Sequence, residues 1–276
     1  MTPATDELLR LAKDTALQAG ALAKLRSEQG VEVADTKSGP EDIVTHADRE
    51  TEALIRSLLA EARPDDGFYG EESQATAGTS GLTWVVDPID GTVNFLYGLP
   101  AWAVSIAVVE GDPDPSSWTA LAGAVFNPPM DELFTAARGA GAHLGQRKLH
   151  CNDGVDLPLA MVGTGFGYDA GRRVRQASVV TGLIGQVRDI RRIGSAALDL
   201  CGVAAGRLDL YYERGLNPWD HAAGALIARE AGAWVGGFGS DREGSDILLA
   251  GDRQLCGAFE PLLAGLFAQY MDEPGA

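Results

Sequence analysis

The sequence predicts an α/β fold, and three observations carry that reading. Two helical segments open the chain, a run of short strands fills its middle, and after Asp156 strand and helix patterns alternate toward the C-terminus. Such alternation places helices over a sheet. With 276 residues, 45% of them apolar, the chain can bury a large core as one sizeable domain or two closely packed halves.

Asp6 to Arg26 has helical spacing, with Leu8, Leu11, Leu22 and Leu25 punctuating an Ala-rich segment. Gly30 and Thr36-Lys37-Ser38-Gly39-Pro40 mark a loop. A second helix is predicted over Ala47 to Ala62, with Leu54, Ile55, Leu58 and Leu59 as its apolar face. Thr45 suits its N-cap and Asp48 follows three residues on, so a helix-start role accounts for Asp48 on spacing alone. His46 reads as an exposed first-turn residue.

Pro64-Asp65-Asp66-Gly67 is a turn, and Phe68-Tyr69 begins a short strand ending at Gly70-Glu71-Glu72-Ser73. Trp84-Val85-Val86 is an apolar strand that runs into Asp87-Pro88-Ile89-Asp90-Gly91-Thr92, and Asn94-Phe95-Leu96 reads as the first turn of a short helix. Four strands follow, Val104–Val109, Ala120–Phe126, Glu132–Ala137 and Gly141–Leu144. The second half reads as strands Leu159–Thr164, Asp189–Arg192, Arg207–Tyr212 and Asp246–Ala250, interleaved with helices Arg173–Ile184, Ser195–Ala205, Trp219–Ala231 and Arg253–Tyr270. The composition shift near Asp153–Pro158 marks the expected boundary, giving an N-terminal α+β half over 1–153 and a C-terminal α/β half over 154–276.

Composition excludes several functions. A net charge of −17 argues against broad nucleic-acid or anionic-membrane binding. No run approaches the roughly 18 apolar residues that cross a bilayer, and Met1 to Arg26 lacks the pattern of a signal peptide, so a cytoplasmic protein is expected. Cys151, Cys201 and Cys256 are scattered and odd in number, which fits small buried side chains in a reducing compartment. His150 beside Cys151 lacks zinc-ligand spacing. No G-x-S-x-G or P-loop string occurs. Gly165-Phe166-Gly167-Tyr168-Asp169-Ala170 fits a dinucleotide fingerprint only loosely, and the Arg172, Arg173, Arg175 cluster and the Arg191-Arg192 pair read as surface or interface charge.

Four acids stand where predicted elements meet: Glu71, Asp87, Asp90 and Asp220. Each alone is explained as a turn or helix-start acid. Together they are an oxygen-only donor set that suits Mg²⁺ over Zn²⁺. Two such ions about 4 Å apart activate a water and hold the leaving oxygen of a phosphate ester. One carboxylate must bridge them, and Asp87 is the natural candidate.

Gly70-Glu71-Glu72-Ser73, Asp87-Pro88-Ile89-Asp90-Gly91-Thr92-Val93-Asn94-Phe95 and Trp219-Asp220-His221-Ala222-Ala223-Gly224 resemble the three signature motifs of the inositol monophosphatase family. The resemblance takes in Asp42-Ile43-Val44-Thr45-His46-Ala47-Asp48 and Arg191 to Cys201, nearly the whole chain. It implies a layered αβαβα sandwich of the sugar-phosphatase type and a Mg²⁺-dependent, lithium-sensitive enzyme, usually a homodimer. By resemblance, Glu71, Asp87 and the Ile89 carbonyl hold a first metal, and Asp87, Asp90 and Asp220 hold a second. Glu71 with waters holds a third. Thr92 orients the attacking water with Asp48 behind it, and the N–H groups of Gly91 and Thr92 take phosphate oxygens. The substrate is contacted through the Gly194-Ser195-Ala196 turn and Glu213, an acid for the hydroxyls of an inositol; on spacing alone Glu213 reads as a strand-end surface acid. The resulting expectation is hydrolysis of myo-inositol 1-phosphate. The alternatives are the same chemistry on histidinol phosphate, fructose 1,6-bisphosphate, NADP or phosphoadenosine phosphate, and a regulatory interaction protein on this scaffold.

Overall fold

The computed structural model describes residues 3–31, 33–36, 43–239 and 241–271. Helix α1 (Pro3–Gln29) leads to a small hairpin of β1 (Val33–Thr36) and β2 (Ile43–Thr45), then to α2 (His46–Ala62). Thr36, expected to open a loop, instead ends β1. Lys37 to Pro40 and Asp42 lie outside the described residues. A seven-stranded sheet follows from β3 (Gly67–Gly70), β4 (Leu82–Asp90), β5 (Ala103–Glu110), β6 (Thr119–Asn127), β7 (Glu132–Ala137), β8 (Gly141–Leu144) and β9 (Arg147–Lys148) in that spatial order. The short helix α3 (Thr92–Leu96) sits between β4 and β5. Strands β3 and β4 are parallel, and from β4 onward the sheet is an antiparallel meander.

The second sheet contains β10 (Met161–Thr164), β11 (Asp189–Arg191), β12 (Leu210–Glu213), β13 (Trp234–Gly236) and β14 (Leu248–Gly251), in the order β11-β10-β12-β14-β13. Its first three strands are parallel, and β14 runs antiparallel to both β12 and β13. Around it are α4 (Ala170–Leu183), α5 (Ala196–Ala204), α6 (Pro218–Glu230) and α7 (Arg253–Tyr270).

Burial sets the layers. One face of the seven-stranded sheet, through Trp84, Val86, Ile106 and Ala124, packs on Leu8, Ala12, Ala16 and Ala19 of α1 and on Ile55 and Leu59 of α2. The other face, through Val85, Ala107 and Val125, packs on Ala197 and Cys201 of α5 and on Ala223 and Ile227 of α6. The opposite sides of α5 and α6, through Leu200, Val203, Ala225 and Ala228, meet Tyr211, Leu248 and Ala250 of the five-stranded sheet. Its far face is closed by Val179 and Leu183 of α4 and by Phe259, Leu263 and Phe267 of α7. The result is helices, sheet, helices, sheet, helices. Helix α6 is apolar on both sides because it lies between two sheets, with His221 to Ala228 all buried.

One detail departs from the leucine spacing. The buried stripe of α1 is built on alanines, while Leu25 is 47% exposed. The helix lies so close to the sheet that a Cβ on Gly20 would fall 2.4 Å from the Phe126 ring, and leucine does not fit in such a gap. Strands β9 and β13 escape the sequence reading because two or three residues carry no measurable alternation.

Candidate active site

Strand register brings the first acids together. Gly70 pairs with Val86 across the parallel β3/β4 ladder, so Glu71, just past β3, and Asp87, on β4, stand side by side. Their carboxyls are in hydrogen-bonding contact. Beyond Asp87 the chain must break from its ladder, because Pro88 has no N–H to give. The register with β5 shifts between Asp87 and Asp90, a bulge that re-aims the side chains following it. Asp87 Oδ1 accepts from the Ile89 N–H at 3.0 Å, an Asx-type turn that fixes the carboxylate. Gly91 then adopts φ +95, and a Cβ there would approach the carbonyl oxygens of Ala101 and Gly194 within 2.9 and 3.1 Å. Only glycine turns the strand into α3 here.

The other residues arrive from helix starts. Asp48 is the third residue of α2 and accepts from the Thr45 N–H at 2.7 Å, a capping box closed by Thr45. Its Oδ1 faces the Thr92 hydroxyl at 3.3 Å. Asp220 takes the same position in α6 and accepts from the Asn217 N–H at 2.7 Å. Asp90 is gripped by the start of α5: its Oδ2 accepts from Ser195 Oγ at 2.5 Å and from the Ala197 N–H at 2.7 Å. Ser195, expected beside the substrate, thus spends its hydroxyl on Asp90. The second parallel ladder repeats the first. Thr164 pairs with Tyr212, so Gly165 and Glu213 emerge together, and the Tyr211 hydroxyl donates to Glu213 Oε2 at 2.6 Å.

The electrostatics are those of anions gathered without cations. Burial, then repulsion from Glu71, Asp90 and Asp220, pushes Asp87 well above the usual carboxylate range. Burial, then Glu71 and Asp90, does the same to Asp220. Asp90 is raised by burial to about 6 against the opposing Ser195 and Ala197 bonds. Asp48 is raised by burial to about 7 against the Thr45 bonds, and Glu213 by burial to about 7 against the Tyr211 bond. Among the described residues no Lys or Arg pairs with Asp87, Asp90 or Asp220. Hard oxygen donors whose charges raise one another are what a divalent cation relieves, so the donor set fits Mg²⁺. Among the described residues no three His, Cys, Asp or Glu side chains stand already converged as a metal cage. One oxygen each of Asp87, Asp90 and Asp220 is turned to a protein donor. Two open clefts of about 540 and 790 Å³ are lined by other residues, Arg138, Arg229 and Arg242 among them. The chemistry, and not the size of a concavity, marks the acid cluster.

Residues 4–273 match the Inositol monophosphatase family. The chain belongs to that family. Over 219 residues it is 49% identical to the inositol-1-monophosphatase of Mycobacterium bovis, covering 76% of this chain and 73% of that one. It is 45% identical over 199 residues to a protein of Xylella fastidiosa named Nus factor SuhB, covering 71% and 70%. The crystal structure of the extragenic suppressor protein suhB from Bartonella henselae superposes with a TM-score of 0.85 at 35% identity, covering 93% of this chain and 98% of that chain. This inositol monophosphatase family member is therefore an enzyme of a phosphatase family, with the family's layered fold.

Three roles are not read from the sequence, two of them at residues its motifs single out, Asn94 and Gly165. Asn94 donates to the Ala101 and Ile193 carbonyls at 2.7 and 2.9 Å, tying α3 to the Gly194 turn. Gly165 leaves room for the Glu213 carboxylate, which a Cβ would meet at 1.9 Å. Glu52 is buried on α2 against the Glu71 segment. Each acts through a register or helix-face relation that exists only after folding. His46 is exposed, as expected for a first-turn residue.

Proposed function

We propose that this enzyme is a Mg²⁺-dependent phosphomonoesterase that hydrolyses myo-inositol 1-phosphate, and related inositol or sugar phosphates, to the free alcohol and phosphate. The observation that carries the reading is the meeting of Glu71, Asp87, Asp90 and Asp220 beside the Thr92–Asp48 pair. In this reading Glu71, Asp87 and the Ile89 carbonyl hold one cation, Asp87, Asp90 and Asp220 a second, and Glu71 with waters a third. When bound, the cations supply a water of lowered pKa and charge that stabilises the departing oxygen.

The chain's own groups do the rest. Thr92 Oγ1 has one proton and two acceptors within reach, the Ile89 carbonyl at 3.1 Å and Asp48 Oδ1 at 3.3 Å. Either choice leaves its lone pairs free to accept from the attacking water and hold it in line with phosphorus. Asp48, anchored by Thr45, sets the direction of that proton. The Gly91 and Thr92 N–H groups hold phosphate oxygens; α3 is only five residues long, so these are local bonds more than a macrodipole effect. In this reading the Gly194-Ser195-Ala196 turn contacts the substrate, held in place by the Ser195 bond to Asp90 and the Asn94 bond to the Gly194 carbonyl. Glu213 accepts from polyol hydroxyls, and a substrate lacking them would leave a buried acceptor unmatched. Homodimeric, cytoplasmic and lithium-sensitive character belongs to the same proposal. So does a division near residue 153, which is supported by one sheet being built from strands between 67 and 148 and the other from strands between 161 and 251.

Purified protein with Mg²⁺ should release phosphate from inositol 1-phosphate with a higher kcat/KM than from histidinol phosphate, fructose 1,6-bisphosphate, NADP or phosphoadenosine phosphate. Release from none of them overturns the assignment, and a different leader in the panel overturns the substrate. Asp90→Asn should lose activity while staying folded; retained activity would remove Asp90 from the site. The relative named Nus factor SuhB favours a second reading, a partner-binding role beside catalysis. A pull-down that recovers only self-association would count against it.

A further inference from the structure

Asp48, Glu52 and Arg56 lie four residues apart along α2 and so share one face of the helix. Asp48 reaches Thr92, as described above. Glu52 is 2% exposed, and among the described residues it has no cationic partner. Both its oxygens are used on the segment that carries Glu71. Oε2 accepts from the Glu72 N–H at 2.8 Å, and Oε1 accepts from the Ser73 hydroxyl in a short bond. The carboxylate also fills the space above Gly70, where a Cβ would lie 2.3 Å from Oε2. One turn further on, Arg56 donates to Ser73 Oγ at 2.7 Å and to the Gln74 carbonyl at 2.8 Å, and its guanidinium lies 4.1 Å from the Phe68 ring centroid.

Residues 71–74 therefore hang from α2. They have no helix or strand of their own, and the Glu71 N–H ties them to the sheet through the Val86 carbonyl at 3.2 Å. Burying a carboxylate without a counter-cation costs several kcal/mol, a heavy expense for tethering an ordinary turn. The turn here carries the carboxylate that stands against Asp87.

We propose that Glu52 is a positioning residue for the cation site: by fixing the Glu72 N–H and the Ser73 hydroxyl it holds Glu71 beside Asp87, so that α2 sets the cation donors through Glu52 and the water-orienting hydroxyl through Asp48. This rests on the reading of Glu71 and Asp87 as cation ligands. Groups that orient metal ligands typically contribute 10–100-fold to metal affinity.

The test is calorimetric titration of the metal-stripped protein with Mn²⁺ alone. Glu52→Ala should weaken the tightest site by about 10–100-fold. Glu52→Gln keeps an acceptor for the Glu72 N–H and should stay within about threefold of wild type. Ser73→Ala, which carries little folding risk at an exposed position, should weaken binding by an intermediate amount. Leu59→Ala is the control: it removes a buried side chain from the same helix and should lower the melting temperature while leaving Mn²⁺ affinity unchanged. Wild-type affinity in both Glu52→Ala and Ser73→Ala overturns the positioning role alone, as does a loss in Leu59→Ala equal to that in Glu52→Ala. A wild-type protein that takes up no Mn²⁺, indistinguishable from Asp87→Asn, overturns the cation site and the positioning role together.

Discussion

Gly165→Ala isolates substrate recognition from the chemistry. The backbone of Gly165 lies in a region open to alanine, so the effect is steric. A Cβ there would fall 1.9 Å from Glu213 Oε2 and 2.2 Å from Oε1, and the carboxylate must swing away. In doing so it leaves the Tyr211 hydroxyl, now 2.6 Å distant. Hydrogen bonds to charged groups are worth about 1.5–3 kcal/mol, or roughly 10–150-fold in an equilibrium constant. If Glu213 binds polyol hydroxyls, displacing it removes bonds of this size to the substrate, a loss that falls on binding common to ground and transition states. KM for inositol 1-phosphate should rise at least tenfold with kcat nearly unchanged. An aryl phosphate with no polyol to recognise should show little change in either constant. Steady-state phosphate release on both substrates is the assay. An unchanged KM for inositol 1-phosphate refutes the role of Glu213. An equal loss on both substrates shows that the clash has reached the acids and refutes the separation of recognition from chemistry.

Asp199 tests the same wall by stability. Its side chain is 1% exposed, Oδ1 has no hydrogen-bond partner among the described residues, and burial followed by repulsion from Glu213 and Asp90 raises its pKa well above the usual range. A carboxyl raised in the folded state contributes stability that is present below its unfolded value and lost as pH rises through its folded value. Asp199→Asn should therefore leave stability alone near pH 4 and raise it progressively above, by about 1–3 kcal/mol, or roughly 2–6 °C in Tm for a chain of this size. A lower Tm at pH 8 would show the carboxylate to be satisfied when charged. The acid cluster makes the complementary prediction. Mg²⁺ binds the ionised carboxylates, so saturating Mg²⁺ should raise Tm at pH 8, adding about 2.7 kcal/mol of stability at a hundredfold excess over Kd. The gain should shrink as pH falls through about 6, where Asp90 takes up its proton. A Mg²⁺ effect independent of pH between 5 and 8 would place the ions elsewhere.

What the sequence makes legible is what adjacent residues decide. Asp87-Pro88-Ile89-Asp90-Gly91-Thr92 announces a strand that must leave its ladder and turn sharply, and it does so at a bulge and a positive φ. The capping pairs Thr45/Asp48 and Asn217/Asp220 announce helix starts. Relations across elements are not announced. Gly165 is a loosely fitting nucleotide fingerprint until Thr164 is seen to pair with Tyr212. Glu52 is one more acid on an amphipathic helix until that face meets the turn after β3. Among the α1 leucines Leu8 and Leu11 do reach the core while Leu25 is exposed, because a helix pressed close to a sheet buries mostly alanine.

Asp48 and Asp220 show why local pattern and site are different kinds of information. Both are N3 acids bonded to the backbone N–H of the residue before their helix, and for helix stability alone that role is complete. What separates them from an ordinary cap is where the helix starts point. The first turn of α6 faces the Glu71 and Asp87 strand ends because α6 is wedged between the two sheets. The first turn of α2 faces Thr92 because α2 packs across β4. The packing of these apolar helix faces turns two ordinary caps into members of one site, so a core change that tilts α6 should alter the site before it unfolds the protein.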